Sequence, residues 1–253
     1  MKDIRATILI DLKNKAEKEL FRNLDYSRRK NVQTAISNNL SFQESTSEED
    51  LKKGYSIYAQ VVIDGGTIPI PYSQWKEIVD PKKNKFFVIR HNKEIVGCFG
   101  VKEITRRFYG QNSDEKGIRP VVFANDRAFN DYRPNDFMYW NTILYGLKNG
   151  YNFVDLGGYQ LKARDHLIGV NSFKMKWGGE IFCYYEDYPF FKAIGRKLIR
   201  NSAFFWWLNK KLKILQMRSR LAILKIEKNN EELSLVEKAS IFKEKEEELS
   251  LKD

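Results

Sequence analysis

NDFMYWNTILYGLKNGYNFVDLGG, residues 135–158, changes from a helical to a strand pattern within one stretch, and that change decides the fold. Phe137, Trp140, Ile143, Leu144 and Leu147 recur at the spacing of one helical face, and Gly150 stands where a C′ glycine would end the helix. Residues 151–156 then form a β-rich run that stops at Gly157-Gly158. Upstream, residues 85–90 and 94–101 are β-rich and joined by His91-Asn92-Lys93, the composition of a hairpin turn. A polar loop at 110–117 leads to a strand at 119–124, and a last strand lies near 180–185. Hairpin, strand, helix, strand and strand in that order predict a mixed central sheet flanked by helices, an α/β (α+β) fold.

The N-terminal part adds to this. Residues 6–11 form a short strand, and Ala16, Leu20, Leu24, Val32 and Ile36 predict one or two helices from Asn14 onward. Residues 41–50 are polar and acidic, a loop leading to a helix from near Ser47 whose first turn carries Glu48, Glu49 and Asp50, where carboxylates suit the helix dipole. Pro69 and Pro71 break the chain before a short helix around 75–79.

At 253 residues the chain can bury one sizeable core without a disulfide or a metal. The organisation expected is a domain at 1–187, with residues 1–40 its N-terminal strand and helices, a basic aromatic helical extension at 188–226 and a charged tail at 227–253. A net charge of +11 calls for an anionic partner: RNA, a nucleotide phosphate or an anionic membrane face. Cys98 and Cys183 sit in apolar runs and read as small buried hydrophobes with no ligand spacing between them. The N-terminus has too short an apolar stretch for a signal peptide, and no window reaches the roughly 18 apolar residues of a spanning helix. A cytoplasmic protein is expected, with peripheral contact at the inner membrane face. The extension has no acidic residue from 188 to 226 and holds Phe204-Phe205-Trp206-Trp207-Leu208 among ten Lys and Arg residues. It reads as a helix packing into the core, a membrane-surface helix or an RNA-binding arm.

His91 falls in a turn and His166 in a polar loop, so no Ser/His/Asp or Cys/His arrangement for nucleophilic catalysis is present. Other residues suit ligand binding. Asp155 ends an apolar strand before two glycines, where a side chain projects from a sheet edge and the amides of Gly157 and Gly158 can approach a ligand, although a structural turn aspartate is equally consistent. Arg133 and Asn135 at a helix start can bind an anion with the helix N-terminus, or Asn135 can serve as the N-cap. Arg164, in the polar loop 162–166, is a phosphate clamp or a solvated charge. Arg28, Arg29 and Lys30 could meet tRNA or a nucleotide diphosphate, but a charge run at a helix start reads first as a solvated face.

Four patches line up in order with one family. They are Thr7-Ile8-Leu9-Ile10-Asp11-Leu12 followed by Tyr26-Ser27-Arg28-Arg29-Lys30-Asn31-Val32; Tyr132-Arg133-Pro134-Asn135; Phe153-Val154-Asp155-Leu156-Gly157-Gly158; and Gly169-Val170-Asn171-Ser172-Phe173-Lys174-Met175-Lys176-Trp177-Gly178-Gly179. The set, spanning roughly residues 6–185, resembles the C-terminal GNAT-like half of the Fem family, the aminoacyltransferases that attach amino acids to peptidoglycan precursors. Fem proteins have two such halves, and this chain resembles one.

The resemblance implies an acyltransferase that moves an aminoacyl or acyl group to an amine of a cell-wall or surface-glycan precursor. Lys174 would support the developing charge or a phosphate near the reacting ester, Phe173 would shape the site, and Asp155 would be the third catalytic residue. Arg133, Asn135, Gly157, Gly158, Tyr159 and Arg164 would bind substrate. No metal or bound cofactor is implied; the donor would be aminoacyl-tRNA or acyl-CoA and the acceptor a lipid- or nucleotide-linked glycan precursor, with peripheral membrane contact through 188–226. An acyl-CoA-dependent GNAT enzyme carries a glycine-rich loop at a helix N-terminus for the pyrophosphate, whereas residues 130–135 (NDYRPN) contain no glycine and a proline without an amide donor. An acyl-CoA N-acyltransferase acting on an amino sugar or small amine, and a non-catalytic GNAT-like module binding RNA or membrane, are the alternatives.

Overall fold

The computed structural model describes residues 1–80, 82–108, 113–212 and 215. The charged tail and most of the second half of the extension lie outside the described residues. The chain divides into two compact units, one of residues 2–58 and 71–187, the other of residue 1, residues 59–70 and the described residues from 188 onward.

The first unit is built on a seven-stranded sheet of β1 (Lys2–Asp11), β2 (Leu40–Glu44), β3 (Lys85–His91), β4 (Glu94–Arg106), β5 (Glu115–Asn125), β6 (Phe153–Tyr159) and β7 (Glu180–Asp187), in the order β2-β3-β4-β5-β6-β1-β7. Every neighbouring pair is antiparallel except β5 and β6. The sheet is therefore mixed, as the sequence predicts. The helices are α1 (Glu17–Asn23), α2 (Tyr26–Ser37), α3 (Glu48–Asp64, whose last turns belong to the second unit), α4 (Tyr72–Val79), α5 (Pro134–Lys148) and α6 (His166–Met175).

Strand β3 shows why the sheet is covered on both faces. Phe86, Phe87, Val88 and Ile89 are all buried, so the alternation of a half-exposed strand is missing. Phe86 meets Trp75 of α4 edge-on at 5.7 Å, and Phe87, pointing the other way, meets Tyr145 of α5 at 5.0 Å. Cys98 lies on the α3 side, its Sγ 3.3 Å from the Gly54 carbonyl oxygen, and burial pushes its thiol pKa up to about 12. It is a core residue, as expected. Cys183 is exposed, against expectation, because β7 is an edge strand with no buried position.

Residues 41–44, expected in a loop, form edge strand β2 together with Leu40. Phe42 stacks on Phe87 at 4.6 Å and contacts Phe99 at 5.3 Å, and with buried Leu40 it seats a five-residue edge strand that is otherwise polar. Helix α5 ends as predicted, with Asn149 as C-cap and Gly150 at φ +71° beyond it.

In the second unit, α7 (Phe190–Asn201) precedes a further helical stretch at 203–212. Phe204, Phe205 and Trp207 are exposed, which overturns core packing for these three rings; Trp206 and Leu208 are half-buried.

Candidate active site

The parallel ladder between β5 and β6 consists of two pairs, Gly117↔Phe153 and Ile118↔Val154. Beyond them β5 runs on to Asn125 beside β4, while β6 runs on to Tyr159 beside β1. The inner edges of both strands are thus left without a strand partner from Arg119 and Asp155 onward. On the far side, the β1 ladder slips register between Thr7 and Leu9, a bulge opposite this stretch of β6.

Asp155, wholly buried, is the centre of this opening. Its Oδ1 accepts from the Thr7 hydroxyl and, at 2.8 Å, from the Gly157 amide; its Oδ2 accepts from Arg106 Nη2 at 2.5 Å and lies 4.0 Å from Arg119 Nη1. With both oxygens engaged, Asp155 has little capacity left to take a substrate proton. Gly157, at φ +80°, lets the strand turn inward, and a Cβ there would lie 3.5 Å from Arg119 Nη2 and 3.6 Å from Lys174 Nζ. Lys174 Nζ donates to the Gly158 carbonyl oxygen at 3.1 Å. Burial, with Arg119 adding to it and Asp155 opposing it, lowers the Lys174 pKa from the ordinary lysine value. Among the described residues the cluster holds three cations, Arg106, Arg119 and Lys174, around one carboxylate.

Two neighbours in α6 aim Lys174. Phe173 meets Tyr139 of α5 edge-on at 5.2 Å, and Arg28 of α2 lies over its ring with Cζ 5.1 Å from the ring centre. Asn171, buried, accepts from the Gln160 amide at 3.0 Å and donates to the Gln160 carbonyl oxygen at 2.9 Å, tying α6 to the end of β6. Asn171→Ala strands both Gln160 backbone groups, and a loss of about 1–3 kcal/mol is expected in urea unfolding.

Arg28 is not solvated, contrary to the sequence expectation. It pairs with Asp136 of α5 at 2.6 Å, and Asn31 adds a bond to the same carboxylate at 3.1 Å. Arg29 instead closes the end of α1, donating to the carbonyl oxygens of Arg22 and Leu24. Burial raises the Asp136 pKa above 3.8 despite Arg28, so Arg28→Ala raises it further. A raised folded-state pKa contributes stability that is present below 3.8 and lost as pH rises through the folded value. Arg28→Ala is therefore expected to cost about 2 kcal/mol at neutral pH, less than a fully buried pair, and the deficit shrinks on acidification towards pH 4, as unfolding curves at the two pH values would read.

Arg133 is exposed and caps α5 in the left-handed region at φ 60°, so Asn135 is the second helical residue and not the N-cap. Arg133 bears on Asp136 electrostatically, and no described contact joins it to Lys174 or Asp155. Asn135 Oδ1 and Arg164 Nη1 are buried without hydrogen-bond partners. Tyr159 lines a cavity of about 320 Å³ with Gln160, Lys162, Ile168, Asn171 and Met175, beside the Lys174 turn of α6. A cavity of about 420 Å³ opens elsewhere, at the start of β6, with Phe153, Phe108, Phe182 and Trp177 in its wall, and neither Lys174 nor Asp155 reaches it. Thr7, Arg106, Arg119 and Asn171 join the site without having been singled out from sequence; for Arg119, a cation at the head of the apolar run 119–124 was the available signal.

No protein-family model and no characterised protein sequence matches the chain. Among solved structures it is similar to FemX (TM-score 0.57, 14% identity, 70% of this chain and 59% of that one). It is also similar to L-PGS from Bacillus licheniformis (TM-score 0.52, 13% identity, 79% and 66%). A third similar structure is the C-terminal domain of a protein described as a lysylphosphatidylglycerol synthetase from Agrobacterium fabrum (TM-score 0.50, 11% identity, 78% and 66%). The match spans less than two thirds of each of these three chains. The strand order, the single parallel pair and these likenesses together give the chain a Fem-like GNAT fold.

Proposed function

We propose that the protein is an acyltransferase that moves an aminoacyl group from aminoacyl-tRNA to an amine of a lipid- or nucleotide-linked cell-wall or surface-glycan precursor. The observation that carries this is the excess of positive charge at the place where β5 and β6 part: Lys174 and Arg119 stand beside Gly157, with Asp155 as the one carboxylate between them and Arg106. Attack of an amine on an ester carbonyl places negative charge on the carbonyl oxygen. Preorganised cations in a partly dry site stabilise that charge more than water does. The amine nitrogen forms the new bond to carbon, the ester C–O bond breaks, and the amine proton ends on the departing ribose hydroxyl. Asp155 is occupied, so the proton passes through the substrates' own groups, while Asp155 positions the arginines and the Gly157 turn.

Aminoacyl-tRNA suits the site better than acyl-CoA. Helix α5 starts with Pro134, which has no amide, and the Arg133 amide is bonded to Asn130; Asn135 and Asp136 supply what remains. Names among the similar structures, FemX and a lysylphosphatidylglycerol synthetase, point the same way.

The test is incubation of the protein with radiolabelled aminoacyl-tRNA or acyl-CoA, each with lipid-linked and nucleotide-linked amino-glycan acceptors. Label passing from tRNA to an acceptor amine, and lost in Lys174→Met, supports the assignment. Transfer from acyl-CoA alone, or from neither donor, overturns it.

A further inference from the structure

The second unit carries an apolar surface that the proposed chemistry does not use. At about 100° per residue, Phe190, Ile194, Leu198 and Phe191 of α7 fall within an arc of about 100°. Phe190, Phe191 and Leu198 are exposed, Phe191 at 86%, while Ala193, the residue α7 buries, lies off that arc. Lys192, Arg196 and Arg200 fall in the opposite sector, and Lys197 borders the apolar one. Lys192 and Arg196 lie over the Tyr188 ring at 5.5 and 4.7 Å. In residues 203–212, Phe204 stacks on Trp207 at 6.3 Å, both exposed, and Lys211 lies 6.0 Å from the Trp207 ring centre.

We propose that α7 and residues 203–212 form a docking surface for an anionic lipid bilayer, lying in the interface with the phenylalanines, Leu198 and Trp207 inserted and the lysines and arginines at the headgroups. Three observations select this occupant. The apolar arc faces outward, the reverse of a helix whose moment serves its own core. Residues 188–226 contain ten cations and no carboxylate, which complements anionic headgroups. Rings and cations occupy separate sectors of α7, as burial at a planar interface requires, whereas a nucleic-acid strand stacks bases on rings that share its basic groove. No described helix is long and apolar enough to cross a membrane, so the surface lies on the bilayer. The proposal stands apart from the transferase assignment, since it uses no residue of the Lys174 cluster.

The experiment is flotation of the full chain with vesicles of phosphatidylcholine alone or mixed with phosphatidylglycerol. It is repeated with Phe190→Ser/Phe191→Ser/Leu198→Ser, with Lys192→Glu/Lys197→Glu/Lys210→Glu, and with the far-ultraviolet spectrum and melting curve of each as folding controls. Co-flotation with the anionic vesicles, weaker in high salt and reduced about tenfold or more in both variants, is the expected result. Equal binding to neutral vesicles, or anionic binding unchanged by the apolar variant, overturns it. So does an absence of vesicle binding accompanied by capture of tRNA, or by self-association that the serine substitutions abolish.

Discussion

Lys174→Met is expected to lower the rate of aminoacyl transfer by about 10²–10³ in single-turnover assays while leaving the melting temperature nearly unchanged, the magnitude being that of removing one donor from a developing oxyanion. The two halves of this result have one origin. Lys174 makes a single described hydrogen bond, to the Gly158 carbonyl oxygen, and its burial beside Arg119 disfavours the ammonium form. Replacing it relieves that burial and forfeits one bond of about 1 kcal/mol, so the net change in stability is small. The sign with pH follows. A lysine whose folded pKa is lowered gives up its proton earlier in the folded state than in the unfolded one, so its contribution to stability is full above 10.5 and is lost as pH falls through the folded value. Wild-type unfolding free energy should therefore rise at alkaline pH relative to Lys174→Met. A methionine variant that transfers as fast as wild type would remove Lys174 from the chemistry. One that melts much lower would make it a structural residue.

The central helix and strand were legible in the sequence because they rest on local pattern, whereas the Phe173-Lys174 pair was singled out only through the family resemblance. Helical spacing through 137–147, the Gly150 stop and the β-rich run at 151–156 set the central helix and strand, and both occur within a residue or three of where the pattern places them. What was not legible depends on pairs far apart in the chain. Thr7 and Asp155 are 148 residues apart and meet because β1 inserts between β6 and β7, a choice that no local window encodes. Arg28 looks like one charge in a basic run until Asp136, 108 residues on, takes it out of solvent. Arg106 lies past the apolar part of β4 and reads as the start of a loop, yet its guanidinium also lies over the Tyr184 ring at 4.9 Å. Arg133 shows the opposite case: the Pro-Asn helix start is where the sequence puts it, but Arg133, capping it in the left-handed region, is exposed and makes no described contact with Lys174.

Asp155→Asn should be the most destabilising single change at the site, with a loss of about 3–5 kcal/mol, the range for removing one partner of a buried ion pair. The substitution keeps the shape and reverses the polarity of one side-chain end. Whichever way the amide turns, its NH₂ faces either the Thr7 hydroxyl and the Gly157 amide or the Arg106 guanidinium, donors against donors. Arg106 is then a largely buried cation without a counter-charge, and its Nε is already without a partner. Thr7→Val, which removes one donor and leaves the ion pair, should cost only about 1 kcal/mol. The decisive comparison is Asp155→Asn/Arg106→Met. Removing the stranded charge should recover part of the stability lost in the single variant, giving a favourable coupling of about 1–3 kcal/mol in a double-mutant cycle by chemical denaturation. Additive losses would mean that the two side chains do not share an ion pair. The double variant should regain stability without regaining transfer activity, because it removes Arg106, one of the three cations of the cluster, along with the carboxylate that holds Arg119.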